Sequence, residues 1–311
     1  KINQNLYLMR GNAAIHNIKL ISKILNKFNH YRDNLRNDMR KIGVIGSGTM
    51  GTGIAHVSAL SGFNTVLLDI NDGLLELGLK IIESNLNRQV KKEKITQLDM
   101  NETLEKIELT TNYNDLFDCD VIIEAATENR SIKEKIFKSM DDICKIEAIL
   151  ATNTSSISIT EMANVTKRPE KVIGMHFMNP VPIMKLIEVV RGKKTNDETT
   201  SKIIELSKKM NKKPVECNDS PGFVTNRILM PMINEAIYCL MEGVASKEAI
   251  DEIMQLGMAH PMGPLKLADL IGLDVCLDIL KVLHKDFMED KYKPCPLLEE
   301  LVYEGNLGRK T

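Results

Sequence analysis

The sequence predicts an α/β fold, a doubly wound and mostly parallel sheet followed by an all-helical second region. Short apolar runs alternate with long helical stretches from residue 40 to about 217, and the first run leads straight into a glycine-rich turn. After "NDSPGF" (218–223) strand-like patterning stops. Strands that are apolar throughout, rather than on alternate residues, belong to sheets covered on both faces, and intervening helices make those sheets parallel.

The strands are taken in order. "KIGVIG" (41–46) is a β-branched run, and "TVLLD" (65–69) is the second. A helical stretch over 72–94 leads towards "DVIIEA" (120–125), and another over 131–143 towards "AILATN" (148–153) and then "KVIGMHF" (171–177). "NPVP" then breaks the chain, because Pro180 and Pro182 cannot donate to a ladder, and a further strand begins near Lys185 and carries Glu188. Residues 224–243 have helical spacing with a kink expected at Pro231, and "KEAIDEIMQLGM" and "GLDVCLDILKVLHKDF" continue the helical pattern. The expected division is 39–217 for the sheet domain and 218–311 for the helical one.

Residues 1–38 differ in composition. They hold eight Asn, and seven Lys or Arg against two Asp, ahead of Met39. Transit peptides are basic and amphipathic but also rich in Ser, and this stretch has Ser22 alone, so an upstream extension before a start at Met39 is favoured over organelle targeting. The remainder is net acidic, which suits a cytoplasmic enzyme. The whole chain has 311 residues, a formal net charge of −1 and no basic stripe interleaved with aromatics, which argues against a nucleic-acid partner. Its six cysteines stand singly, without zinc-ligand spacing, so no metal is expected. Apolar runs fall short of the roughly 20 residues of a membrane span, so no membrane partner is expected either.

In "VIGSGTMGTGIAHVSALSGFNTVLLD", Gly46, Gly48 and Gly51 fall in GxGxxG register between a strand and a helix, and Asp69 ends the next strand. The motif alone is weak, but this context gives it a Rossmann-type reading. Gly46 permits the tight turn, Gly48 lets the backbone approach a pyrophosphate, and Gly51 lets helix and strand pack closely. The helix N-terminus offers unpaired N–H groups to the phosphates. The Asp69 carboxylate can accept both ribose hydroxyls and would repel a 2′-phosphate, so NAD is favoured over NADP.

His176 stands where its strand runs out, at the carboxyl edge where such sheets bind ligands. A turn through "NPVP" can return Glu188 beside it. A carboxylate on one ring nitrogen fixes the tautomer, raises basicity and stabilises the imidazolium, which is what removal of a hydroxyl proton during alcohol oxidation requires. Taken singly, either residue is more often an ordinary hydrogen-bonded histidine or an edge charge. His56 lies inside the first helix, His260 in a loop and His284 on helical spacing, while His16 and His30 belong to the extension.

The strings "IGSGTMGTGIA", "IEAATEN", "ATNTSSISI", "GMHFMNPVPIMKLIEVV", "DSPGFVTNRIL" and "HPMGPLKLADLIGLD" together resemble the L-3-hydroxyacyl-CoA dehydrogenase family, over about 40–311. The similarity is nearest to the short-chain 3-hydroxybutyryl-CoA type. It implies NAD as cofactor, an acyl-CoA substrate, a role in fatty acid and butanoate metabolism, and a homodimer formed through the helical domain. It places the catalytic histidine on His176, its partner on Glu188, and substrate-holding groups on Ser155 and Asn226. Ser155 could instead cap a helix starting near Ser158, and Asn226 could be a solvated helix residue. Thr49, Met50, Glu128, Lys133, Asn153, Ser155 and Asn179 match positions lining the family's cofactor site, as does Lys310 near the end of the chain. Lys92 matches a lysine that meets coenzyme A, although a solvated helical charge reads nearly as well. Asn85 stands where some relatives carry a substrate-binding serine, and the family usually continues beyond "LGRKT", so a truncated C-terminus is expected. Two other functions compete: a dehydrogenase of free hydroxy acids on the same scaffold, and a non-catalytic NAD-binding protein akin to certain lens crystallins.

Overall fold

A computed structural model describes residues 39–311; the extension 1–38 lies outside the described residues. Among those described, one eight-stranded sheet runs in the order β3-β2-β1-β4-β5-β6-β7-β8. The strands are β1 (Lys41–Ile45), β2 (Asn64–Leu68), β3 (Ile107–Thr110), β4 (Val121–Glu124), β5 (Ile149–Thr152), β6 (Val172–Phe177), β7 (Leu186–Arg191) and β8 (Lys213–Asn218). Every neighbouring pair is parallel except β6 and β7, so the sheet is mostly parallel as the apolar runs predict.

β3 and β8 lie at the two edges, and neither shows the continuous apolar run of the inner strands. β8 is largely exposed and carries Pro214, a residue tolerated where one side of a strand has no partner. β2 and β4 flank β1, so consecutive connections depart to opposite sides of it. This switch point opens a crevice beyond the carboxyl ends of the two central strands.

The first helices are α1 (Thr49–Leu60), α2 (Asp72–Lys91) and α3 (Gln97–Glu105). The stretch expected as one helix over 72–94 therefore ends at Lys91; Glu93 takes φ 53° and Thr96 opens α3 with a reciprocal cap on Asp99. Next come α4 (Arg130–Ile143), α5 (Ile159–Asn164) and α6 (Asp197–Lys209). The helical layer consists of α7 (Thr225–Met241), α8 (Lys247–Met258), α9 (Pro264–Ile271), α10 (Leu273–Phe287) and α11 (Pro296–Tyr303). α7 continues through Pro231 rather than ending there.

Two apolar cores hold these layers. One packs Phe137 and Met140 of α4 and Met162 of α5 against sheet residues such as Ile122, Leu150 and Val190. The other joins Ile233 and Ile237 of α7 to Leu277, Leu280 and Leu283 of α10 and Leu298 of α11. Full burial of each such side chain stabilises by about 1.5–3 kcal/mol. Asn234 ties α7 to the segment before α11, donating to the Lys293 carbonyl at 2.9 Å and accepting from the Cys295 N–H at 2.8 Å.

Candidate active site

The glycine loop closes on itself for steric reasons. Gly46 has φ 100°, and a Cβ there would lie 2.7 Å from the Ala125 carbonyl oxygen; one on Gly51 would lie 1.8 Å from the Gly46 oxygen. Above Gly48, by contrast, a Cβ would meet nothing within 4 Å. Gly48 is the N-cap of α1 without a side-chain cap, so no capping side chain occupies the first N–H groups of that helix. Asp69, at the end of β2, accepts from the Ser47 hydroxyl at 2.7 Å and from the Ile70 N–H at 2.7 Å. It thus sits at the rim of the loop with its carboxylate already oriented. These features fit a dinucleotide: an open approach for phosphate, free N–H donors, and an acid placed for a ribose.

Behind the loop is a cavity of ≈ 650 Å³. Gly48, Thr49, Met50, Lys133, Asn153 and Ser155 line it from the sheet, and Val275, Asp278, Ile279 and Val282 of α10 close it from the helical layer. The α10 residues carry no motif, and only the fold brings them more than two hundred residues back to the glycine loop.

His176 and Glu188 are directly opposed in the antiparallel β6–β7 pair, which points both side chains to one face. Nδ1 of His176 lies 2.7 Å from Oε2 of Glu188, and both residues are buried. The other carboxylate oxygen accepts from the Thr225 N–H at 2.9 Å and the Val224 N–H at 3.3 Å, at the N-terminus of α7. Burial pushes the Glu188 carboxyl up, but the hydrogen bonds from His176 and from the Thr225 N–H outweigh it and hold the group below the usual glutamate range. The surrounding donors thus favour its carboxylate form. Phe223 packs edge-on against the imidazole, ring centroids 5.6 Å apart. Its φ of 51°, next to Gly222 at 70°, is a left-handed conformation that a sequence reading assigns to glycine.

Nε2 of His176, the nitrogen left for chemistry, lies 3.3 Å from the Ser155 hydroxyl. The Asn226 amide donates to the Ser155 carbonyl oxygen at 3.1 Å. Ser158, not Ser155, caps α5, accepting from the Glu161 N–H at 3.3 Å. The Ser155 loop hangs on Glu128, whose Oε1 accepts from the Thr154 hydroxyl at 2.6 Å and from the N–H groups of Ser155 and Ser156 at 2.9 and 3.0 Å. Asn153 accepts from the Phe177 N–H at 2.8 Å, pinning the strand end that follows His176.

The remaining candidates are placed differently. Lys133 is buried, and its ammonium donates to both oxygens of Glu124, at 2.8 and 2.7 Å. Glu124 was missed, although an acid inside the run "DVIIEA" demands a buried partner. Asn179 is exposed on the turn after β6. Lys92 is exposed just past α2, and Asn85 accepts from the Arg88 guanidinium. Lys310 pairs with Asp274 at 2.7 Å, and its segment is tied down by the Arg309 N–H donating to the Asp269 carbonyl at 3.0 Å. No group of His, Cys, Asp and Glu among the described residues could hold a metal ion.

Two family descriptions match the chain: the 3-hydroxyacyl-CoA dehydrogenase NAD binding domain over residues 41–220, and the C-terminal domain of the same family over 222–311. The probable 3-hydroxybutyryl-CoA dehydrogenase of Deinococcus radiodurans is 55% identical over 272 residues, which are 87% of this chain and 97% of that protein. The 3-hydroxybutyryl-CoA dehydrogenase of Clostridioides difficile is 53% identical, with 87% and 96% covered. Among solved structures, the (S)-3-hydroxybutyryl-CoA dehydrogenase of Ralstonia eutropha superposes with a TM-score of 0.86 at 50% identity, covering 88% of this chain and 96% of that one.

Proposed function

This chain belongs to the 3-hydroxyacyl-CoA dehydrogenase family, and from that premise we propose how its residues interconvert (S)-3-hydroxybutyryl-CoA and acetoacetyl-CoA. It is an NAD-dependent dehydrogenase of the 3-hydroxybutyryl-CoA type. The single observation that carries the residue roles is the His176–Glu188 contact of 2.7 Å, with the second imidazole nitrogen turned to Ser155 beside the cavity behind the glycine loop.

When bound, NAD supplies the acceptor or donor of the hydride. Gly46, Gly48 and Gly51, with Thr49 and Met50, leave room and N–H groups for its pyrophosphate, and Asp69 takes the ribose hydroxyls. Nε2 of His176 removes the proton from the C3 hydroxyl during oxidation and returns one during reduction. Glu188 keeps the proton of the resting imidazole on Nδ1, so that Nε2 is free to act as base, and stabilises the imidazolium that follows. Ser155 and Asn226 hold the C3 oxygen or the thioester carbonyl without adding charge. Glu128, Asn153 and Lys133 shape the cofactor side, and Asn179 and Lys310 border it. Lys92 meets the coenzyme A moiety.

The same reading makes 39–217 the cofactor domain and 218–311 the substrate and dimerisation domain of a cytoplasmic homodimer. No helix among the described residues is long and apolar enough to cross a membrane.

The test is oxidation of NADH, followed by loss of its reduced-nicotinamide absorbance, with acetoacetyl-CoA as substrate and with free acetoacetate and NADPH as controls. Fast oxidation confined to NADH plus the thioester is expected. Equal rates with free acetoacetate would move the reading to hydroxy acids, and NADH binding without turnover would leave a non-catalytic relative.

A further inference from the structure

The chain between the two members of the acid–base pair is a tight turn, residues 178–185, and something has to hold it. The Ile183 and Met184 N–H groups both donate to the Pro180 carbonyl at 3.0 Å. Val181 is buried, and its side chain fills the space where a Cβ on Gly53 of α1 would lie. Two further carbonyls of the turn, those of Val181 and Met184, are met by Lys212, which precedes β8. Its ammonium donates to the Val181 carbonyl and, at 2.7 Å, to that of Met184. Next along the chain the Lys213 N–H donates to the Lys185 carbonyl at 2.7 Å and starts the β7–β8 ladder that passes Glu188.

We propose that Lys212 is a positioning residue for the dehydrogenation: its ammonium fastens the turn that sets Glu188 against His176. The inference rests on the reading of that pair as the acid–base machinery.

Lysines are seldom buried, and this one is bonded to two main-chain carbonyls rather than to a carboxylate. Burial, with the Lys185 charge nearby, pushes its ammonium down to about 8. The other titratable group facing it is His56 of α1, which burial pushes down to about 4, with the Lys212 charge adding to the effect. A cation kept under those conditions has a task that a neutral side chain would not perform as well. Two carbonyls three residues apart, drawn to one ammonium, bend the turn inward. The strand leaving the turn is thereby held at the register that opposes Glu188 to His176. Misplacement of a reacting group by about 1 Å can cost about a hundredfold in rate.

The experiment compares the wild type with Lys212→Met, Lys212→Gln and Lys212→Arg. Three quantities are read: kcat with acetoacetyl-CoA, the NADH dissociation constant, and the downfield proton resonance of the His176 Nδ1–H shared with Glu188. In Lys212→Met, kcat should fall about ten- to a hundredfold and the resonance should broaden or vanish, while NADH binding changes less than about twofold. Lys212→Arg should recover most of the rate, and Lys212→Gln should lie between. An unchanged resonance and kcat in folded Lys212→Met would overturn the proposal. So would NADH binding falling in step with kcat, or loss of the fold in all three variants, either of which assigns Lys212 to stability alone. The resonance is recorded without substrate, so a wild type that ignores acetoacetyl-CoA would sink the proposed function while leaving the role of Lys212 to be decided on the spectrum.

Discussion

Replacing Glu188 by glutamine changes one atom and should disable the site for two separable reasons. The carboxylate serves two sets of donors: Oε2 faces Nδ1 of His176 at 2.7 Å, and Oε1 takes the Thr225 and Val224 N–H groups at the start of α7. An amide has one oxygen. If it stays with the helix, the amide NH2 faces Nδ1, which must then become an acceptor, and the ring proton moves to Nε2, where the base is needed. The second loss is electrostatic. With charge centres about 4 Å apart and an effective dielectric near ~20, carboxylate and imidazolium attract by about 4 kcal/mol. If screening and relaxation remove half, about 2 kcal/mol remains, or roughly thirtyfold in rate. The tautomer error adds to it, and in a comparable triad the acid-to-amide change as a whole costs about 10⁴-fold, which sets the upper bound. Glu188→Gln should therefore lower kcat about 10²- to 10⁴-fold, measured as single-turnover NADH oxidation with acetoacetyl-CoA. NADH affinity, measured by nicotinamide fluorescence, should stay within about twofold because neither atom lines the cofactor cavity. Retention of more than half of the wild-type rate would refute the reasoning.

Three further outcomes are expected. Gly51→Ala places a methyl against the Gly46 carbonyl oxygen, so NADH binding should be lost or the fold impaired, as equilibrium binding and thermal melting would show. Lys133→Met leaves the buried Glu124 without its counter-charge, with only the Thr152 hydroxyl and Ala126 N–H still donating to it, a change that typically costs about 3–5 kcal/mol; denaturant unfolding should show it, and adding Glu124→Gln should recover part of the loss. His56 is buried with one ring nitrogen unpartnered and is pushed down to about 4 from an ordinary 6.5, so the unfolded chain binds its proton first. Stability should then rise with pH between about 4 and 6.5 and lose about 3 kcal/mol on acidification through that window, a loss that His56→Gln should remove in urea titrations at several pH values.

The sheet's centre was legible because its information is local. β1, the glycine loop, α1 and β2 follow one another without interruption, and each glycine meets a steric demand within that unit. β3 and β8 were not legible, because an edge strand has no need of a continuous apolar run. The pairing of His176 with Glu188 could be read as a possibility from the two prolines, but the opposed register required the ladder. Glu124 was hidden inside a run read only for its hydrophobicity, and nothing in the sequence marks Phe223 for the left-handed backbone it adopts. The role of Lys212 and the approach of α10 to the glycine loop could not be read at all, although α10 itself was legible as a helix. Their contacts join segments with no shared motif, and nothing in a lysine's neighbours along the chain tells whether its ammonium faces water or two carbonyls.

The antiparallel β6–β7 pair is the one reversal in a sheet whose other neighbouring strands run parallel. Its position places the proposed base and acid within about a dozen consecutive residues, opposed across the ladder, with Lys212 and the N-terminus of α7 bracing them from outside. The residues lining the cavity proposed for the cofactor are scattered over the chain, from the glycine loop to α10. Proton handling and cofactor recognition are therefore separately mutable: drift in the glycine loop or α10 can retune which molecule is bound without dismantling the chemistry. A scaffold organised in this way can change its cofactor preference while inheriting its proton transfer intact.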